Sequence, residues 1–84
     1  MRATHYFLTV VLTKRGYLTQ AMCEKVVKQP EATESQEDGR IRHWARVPEL
    51  DDRVLRVVTL EDGETLHNAF IDRGFERRAG SDSQ

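Results

Sequence analysis

Cysteine, lysine and proline are scarce in this chain, and each scarcity removes a class of answer. Cys23 is the single cysteine, so no internal disulfide can form. A lone thiol suits a reducing compartment, and a cytoplasmic location is expected. No motif flanks Cys23, which reads as a half-buried structural thiol. No apolar run approaches the roughly eighteen residues that a spanning helix needs, so no membrane contact is expected. The segment from Tyr6 to Leu12 is too short for a secretory leader and lacks a small-residue cleavage site. His5, His43 and His67 are scattered, and neither they nor Cys23 have zinc-ligand spacing. No metal and no cofactor is therefore expected. Gly39, Gly63 and Gly74 stand singly, which excludes a glycine-rich phosphate loop. Ser35, Ser81 and Ser83 lie in loop or tail, outside any nucleophile elbow.

What is present is arginine. Thirteen basic residues face fourteen acidic ones, for a net charge of −1, so no bulk basicity advertises nucleic acid. Beyond residue 39, however, every basic residue is arginine. Its planar fork suits phosphate and carboxylate better than the point charge of lysine. Genomic base composition with ordinary surface charge is the competing account of that excess.

Eighty-four residues make one small domain, expected over 1–78, with a disordered tail at 79–84. Residues 4 to 29 read as helical. Phe7, Val10, Val11 and Lys14 have helical spacing, with Thr4 as N-cap and Gly16 as C-cap. Tyr, Phe, Thr and Val also favour strands, so a strand competes at this point. Leu18, Met22 and Val26 recur at i, i+4 and i+8, Thr19 caps them, and Pro30 ends the helix after Gln29. The polar stretch 30–39 reads as a solvated loop or the exposed first edge of a sheet.

From Arg40 to Ile71 the pattern changes to alternation. Asp62-Gly63 sits between two apolar runs, the strongest short hairpin signal. As a two-residue turn it sets Thr59 against Leu66, Val58 against His67 and Arg56 against Ala69. Arg56, Val58, Thr65, His67 and Ala69 then share one face, with Leu55, Val57, Leu66 and Phe70 on the core side. In the preceding run Arg40, Arg42, Trp44 and Arg46 alternate with Ile41, His43, Ala45 and Val47, which puts His43 on the core side. The expected fold is α+β: N-terminal helical segments packed on an antiparallel meander of three to four strands.

The chemistry left open is acid–base work assisted by arginine. Metal-free RNA cleavage needs a base for the 2′-hydroxyl, an acid for the leaving oxygen, and cations for the charge on phosphorus. His67 suits the proton transfers. Arg42 and Arg56 suit the phosphate. Arg40, Arg46 and His5 are further substrate-binding candidates, and Trp44 is a candidate stacking platform for a base. The bland alternative has Trp44 covering a core edge and His67 as an ordinary exposed strand residue.

Several short segments carry a resemblance. They are Thr4-His5, Arg15 before Tyr17-Leu18-Thr19, Val26 to Glu31, Asp38-Gly39-Arg40, Leu55 to Thr59, and Thr65 to Phe70. In these the chain resembles a family of small prokaryotic proteins of unassigned function grouped with the RelE- and BrnT-type ribonuclease toxins, in the barnase–colicin–RelE fold class. The resemblance runs from His5 to about Phe75. It implies helices on a small antiparallel sheet and an endoribonuclease toxin neutralised by an antitoxin protein. His5 matches the family's N-terminal histidine, Arg40 to Arg42 the start of its first long strand, and His67 falls in its last strand. The segment Tyr6 to Lys14 is more apolar than the family's usual helix, and the strong basicity of ribosome-dependent toxins is missing. Two functions stand: an RNA-cleaving toxin, or a non-catalytic module that binds a protein through its sheet face or edge. Convergence of Arg42, Arg56 and His67 in one cleft would favour the first.

Overall fold

Thr4 starts the first helix. Its hydroxyl accepts the Phe7 N–H at 3.1 Å and its carbonyl accepts that of Leu8, so two otherwise orphaned donors are satisfied. The helical stretch covers residues 5–14 in this structure, a computed structural model that describes residues 1–75. The expected domain end at 78 and the expected disordered tail lie outside the described residues. Phe7–Val11 is wound as a π-helix, closed by the Leu12 N–H on the Phe7 carbonyl, and Leu12–Lys14 completes the stretch. The Thr9 hydroxyl donates to the His5 carbonyl at 2.8 Å, a back-bond that accompanies local distortion of a helix. Phe7 and Val11, one turn apart, are both fully buried, and that shared face decides for helix over strand.

Leu18 and Thr19 lead into the second helix, Gln20–Lys28. Thr19 caps it through the Met22 N–H at 3.1 Å, and Gln29 closes it on the Lys25 carbonyl. Met22, Cys23 and Val26 point inward. Cys23 is fully buried, and burial first, then the neighbouring Glu24 charge, pushes its thiol up to about 12. Such a thiol is inert.

Four strands follow in the order β1-β2-β3-β4, all antiparallel: β1 Ala32–Ser35, β2 Ile41–Val47, β3 Arg53–Thr59 and β4 Leu66–Ile71. The acidic stretch is thus partly an exposed edge strand. Both helices pack on one face of the sheet. Phe7, Val11, Leu18, Met22, Cys23 and Val26 meet Ala45, Val47, Leu55, Val57, Leu66 and Ala69 there. No helix among the described residues is long and apolar enough to cross a membrane.

Two expectations about the β3–β4 hairpin need correction. The first concerns the turn. Gly63 has the positive φ expected of it, 71°, but Asp62-Gly63 is not the central pair that the closing bond spans. The turn instead closes from the Gly63 N–H to the Leu60 carbonyl, and Leu60 still pairs with Thr65 through its N–H at 3.0 Å. Asp62 serves as an acceptor: Oδ1 takes the N–H groups of Glu64 and Thr65, and Oδ2 takes the Thr65 hydroxyl. These bonds, led by that hydroxyl, hold the Asp62 carboxyl down at about 2.

The second correction concerns register. Thr59 faces Leu66 as expected, but a β-bulge follows, and Val58 faces Asn68, Val57 faces Ala69 and Arg56 faces Phe70. His67 is the extra residue. Ala69 therefore enters the core and Phe70 leaves it, the reverse of the unbroken alternation. The unbroken register would have placed Asn68 opposite Val57 in the apolar core, where an amide needs partners that are not there. One inserted residue exchanges Asn68 for Ala69.

Gly63 has room for a side chain, since a Cβ there would lie 3.7 Å from Ile41 Cδ1. Its constraint is conformational. Gly63→Val should therefore cost about 1–2 kcal/mol through the left-handed backbone alone. Thermal denaturation reads this as a fall of several degrees in a domain of this size. An unaltered Tm would refute the turn geometry.

Candidate functional site

Alternation puts Arg42, Trp44 and Arg46 of β2 on the sheet face away from the helices, with Val54, Arg56 and Val58 of β3 and Phe70 of β4. The arginines there are already engaged. Arg42 Nη1 lies 2.8 Å from Glu34 Oε1 on β1. Arg56 Nε lies 3.6 Å from Asp72 Oδ2, and its guanidinium carbon sits 4.2 Å from the Phe70 ring centroid. Arg46 donates to the Asp52 carbonyl at 3.0 Å, which bridges the β2–β3 connection where Asp51 and Asp52 adopt φ of 56° and 61°. Trp44 is buried. Phe75 stacks on it at 5.1 Å and 13°, and its indole N–H donates to Asp72 Oδ2 at 2.9 Å. A ring so covered offers no open platform for a base, and Trp44 packs the sheet instead.

His67 sits elsewhere. Residues 2 to 4 run beside β4: the Leu66 N–H donates to the Arg2 carbonyl and the Thr4 N–H to the Leu66 carbonyl, each at 2.9 Å. That ladder brings the Thr4 hydroxyl to 3.1 Å from His67 Nδ1. The Tyr6 ring lies 5.2 Å from the imidazole, tilted by 33°. The pKa of His67 is lowered, first by partial burial and then by the Arg40 guanidinium, with Asp38 opposing. Arg40 therefore belongs to the surroundings of His67. It also pairs weakly with Asp38 at 3.8 Å. The β1–β2 turn that carries it abuts the β3–β4 turn, since the Glu61 side chain occupies the space a Cβ on Gly39 would need.

The predicted set is therefore split. Arg40 and His67 share one locality; Arg42, Arg56 and Trp44 lie on the sheet face away from the helices and are held by other partners. His5 is exposed at the start of the first helix. Thr4 and Tyr6 are the neighbours of His67 that sequence reasoning missed. Thr4 was visible as a cap, but nothing local shows that the capped end docks on a strand some sixty residues later.

His43 lies on the core side, as alternation requires, and is buried. Its Nε2 meets Thr59 Oγ1 at 3.0 Å, while Nδ1 is buried with no hydrogen-bond partner. The tautomer that leaves a lone pair rather than an N–H unpartnered is the cheaper one, so Nε2 carries the proton. Among the described residues no group of three or more His, Cys, Asp or Glu side chains gathers as a metal would require.

No family model, no curated protein and no solved structure matches this chain. What the protein does is read from the chemistry of its own residues.

Burial lowers the pKa of His43 below its ordinary 6.5. The unfolded chain then binds the proton more readily than the folded one. Stability is fully present above about 6.5 and is lost as pH falls from there toward the folded value. Tm should drop between pH 7 and pH 5, and His43→Leu should flatten part of that slope. Identical slopes in the two proteins would show that His43 does not titrate on unfolding.

Proposed function

We propose that this protein is a metal-independent endoribonuclease of the toxin type, with His67 as general base and Arg40 as the phosphate-binding cation. The observation that carries the reading is a partly buried histidine whose Nδ1 meets the Thr4 hydroxyl at 3.1 Å and whose ring lies 5.2 Å from that of Tyr6, with Arg40 near enough to lower its pKa. Cleavage requires removal of the 2′-hydroxyl proton, attack of that oxygen on phosphorus, and protonation of the departing 5′-oxygen. His67 takes the first proton, with its ring oriented by the Thr4 hydroxyl. Arg40 offsets the charge that builds on phosphorus. Tyr6 is exposed beside the imidazole and supplies the proton to the leaving oxygen. Arg42 and Arg56 move from catalytic to structural roles, because carboxylates already neutralise them. An antitoxin protein and a cytoplasmic setting belong to the same reading.

The second reading, a protein-binding module, draws support from the β1 side of the sheet. β1 is an edge strand, and beside it a groove of about 230 Å³ is lined by Met22, Val26, Val47 and Pro48. A partner strand could extend the sheet there.

Purified protein should cleave total RNA equally well with and without chelator. His67→Ala should lose 10²- to 10⁴-fold in rate, as removal of a general base does, and Arg40→Ala should also lose activity. Arg42→Ala should retain most of it. The acid limb of the rate profile should fall below pH 6.5, because the base is active only when unprotonated. RNA left intact by the wild type, in a protein that arrests no growth, would end the nuclease reading.

A further inference from the structure

β2 is longer than the strand on its β1 side. β3 pairs it as far as Val47 opposite Arg53, but β1 pairs it only as far as Trp44 opposite Ala32. In continued register Arg46 would face Pro30, which has no N–H to give. The Arg46 N–H points to that open side and meets a side chain instead: Glu31 Oε2 accepts it at 2.8 Å. The Arg46 carbonyl points the same way, as both groups of one residue do in an antiparallel ladder. A carboxylate thus stands where a neighbouring strand would place a carbonyl. Between this open end and the second helix lies the groove of about 230 Å³, with Met22, Val26, Ala45 and Val47 as its apolar lining. Roughly 150 Å³ holds a benzene ring, so the groove has room for one aromatic side chain. Lys25, exposed on the helix wall of the groove, makes no ion pair among the described residues. Glu49 stands at the strand wall.

An extended segment laid against this open end, antiparallel to β2, runs into the chain at Glu31 and Ala32 and has to stop there. Its last residue faces Arg46. By strand alternation the residue before it faces Val47 and points to the helix side, into the groove. We propose that this slot binds the C-terminus of a partner protein: the terminal carboxylate replaces that of Glu31 on the Arg46 N–H, Lys25 supplies a balancing cation, and an apolar penultimate side chain fills the groove. This rests on the protein-binding reading given above and is independent of the nuclease. The last amide of the partner donates to the Arg46 carbonyl, so one residue makes both rungs of a ladder. Glu31 is exposed, and its carboxylate passes to solvent when it is displaced.

The test titrates the full chain with an N-acetylated pentapeptide of threonines that has phenylalanine next to last, as the free acid and as the C-terminal amide. Backbone amide NMR spectra follow binding. The free acid should shift the Arg46 amide and bind about tenfold more tightly than the amide, because a charged acceptor is lost. Alanine in place of the phenylalanine should weaken it by about tenfold or more, the worth of a buried ring. Methylating the last amide nitrogen should weaken it as well, since the bond to the Arg46 carbonyl goes. Lys25→Gln should cost about threefold, as an exposed ion pair does. Glu31→Ala should tighten the free acid by about threefold, because no carboxylate has to be displaced first. A gain of binding is a result that mere damage to the fold does not produce, and thermal melts check that both exposed variants are folded. Equal affinity for acid and amide, or no gain in a folded Glu31→Ala protein, would overturn the slot. Shifts confined to Thr33 and Ser35 of β1 would overturn the slot and keep strand addition at that edge. Silence toward every peptide, in wild type and Glu31→Ala alike, would discard the slot together with the strand-addition reading.

Discussion

The register of β4 against β3 slips by one residue at His67, and the arrangement of everything beside that strand depends on the slip. Before it, Leu66 is fully buried against Thr59; after it, Ala69 is fully buried against Val57. Three positions apart, these two residues could not both face the core in an unbroken strand, whose side chains alternate with period two. The inserted residue makes that possible. It also leaves His67 partly exposed beside Thr4 and Tyr6, and turns Phe70 outward toward Arg56. A core-packing requirement thereby creates both polar localities along β4.

The N-terminal residues lock this strand from the outside. Arg2 and Thr4 exchange backbone hydrogen bonds with Leu66, so β4 is not a bare edge at that point. The same Thr4 caps the first helix through its hydroxyl, and that hydroxyl also meets His67. One side chain thus ties the helix start, the strand and the imidazole together. The opposite edge is managed differently. β1 is short and polar, and it presents Glu34 paired to Arg42.

Much of the fold could be read from local pattern. Thr4 and Thr19 act as the caps their positions suggested, and Leu18, Met22 and Val26 bury the face their spacing defined. The alternation of β2 places His43 inside and Arg42 outside. The bulge could not be read, because it follows from competition between Asn68 and Ala69 for one core position, and alternation has no term for an inserted residue. Nor could the fate of the arginines be read. Glu34 lies eight positions before Arg42, and Asp72 sixteen beyond Arg56. Only strand pairing and the chain reversal after β4 bring them together. An arginine counted as available from sequence becomes a neutralised pair once its neighbour strand is known.

The two inner histidines show why burial alone does not make a site. Both have lowered pKa values, and desolvation leads in each case. His43 is sealed beneath the helices, with one nitrogen on Thr59 and the other facing no donor or acceptor. A proton arriving there would have no acceptor for the second N–H and no path to a solute, so its titration is felt only as lost stability. His67 has the same direction of shift for a partly different reason, since a neighbouring cation, Arg40, adds to burial. A cation that disfavours the imidazolium is also one that attracts a phosphate. On the nuclease reading proposed above, a phosphate that neutralised Arg40 would relax its pressure on His67 and make the imidazole a stronger base. That coupling, absent at His43, is the physical ground on which the proposal assigns proton transfer to the less buried of the two rings.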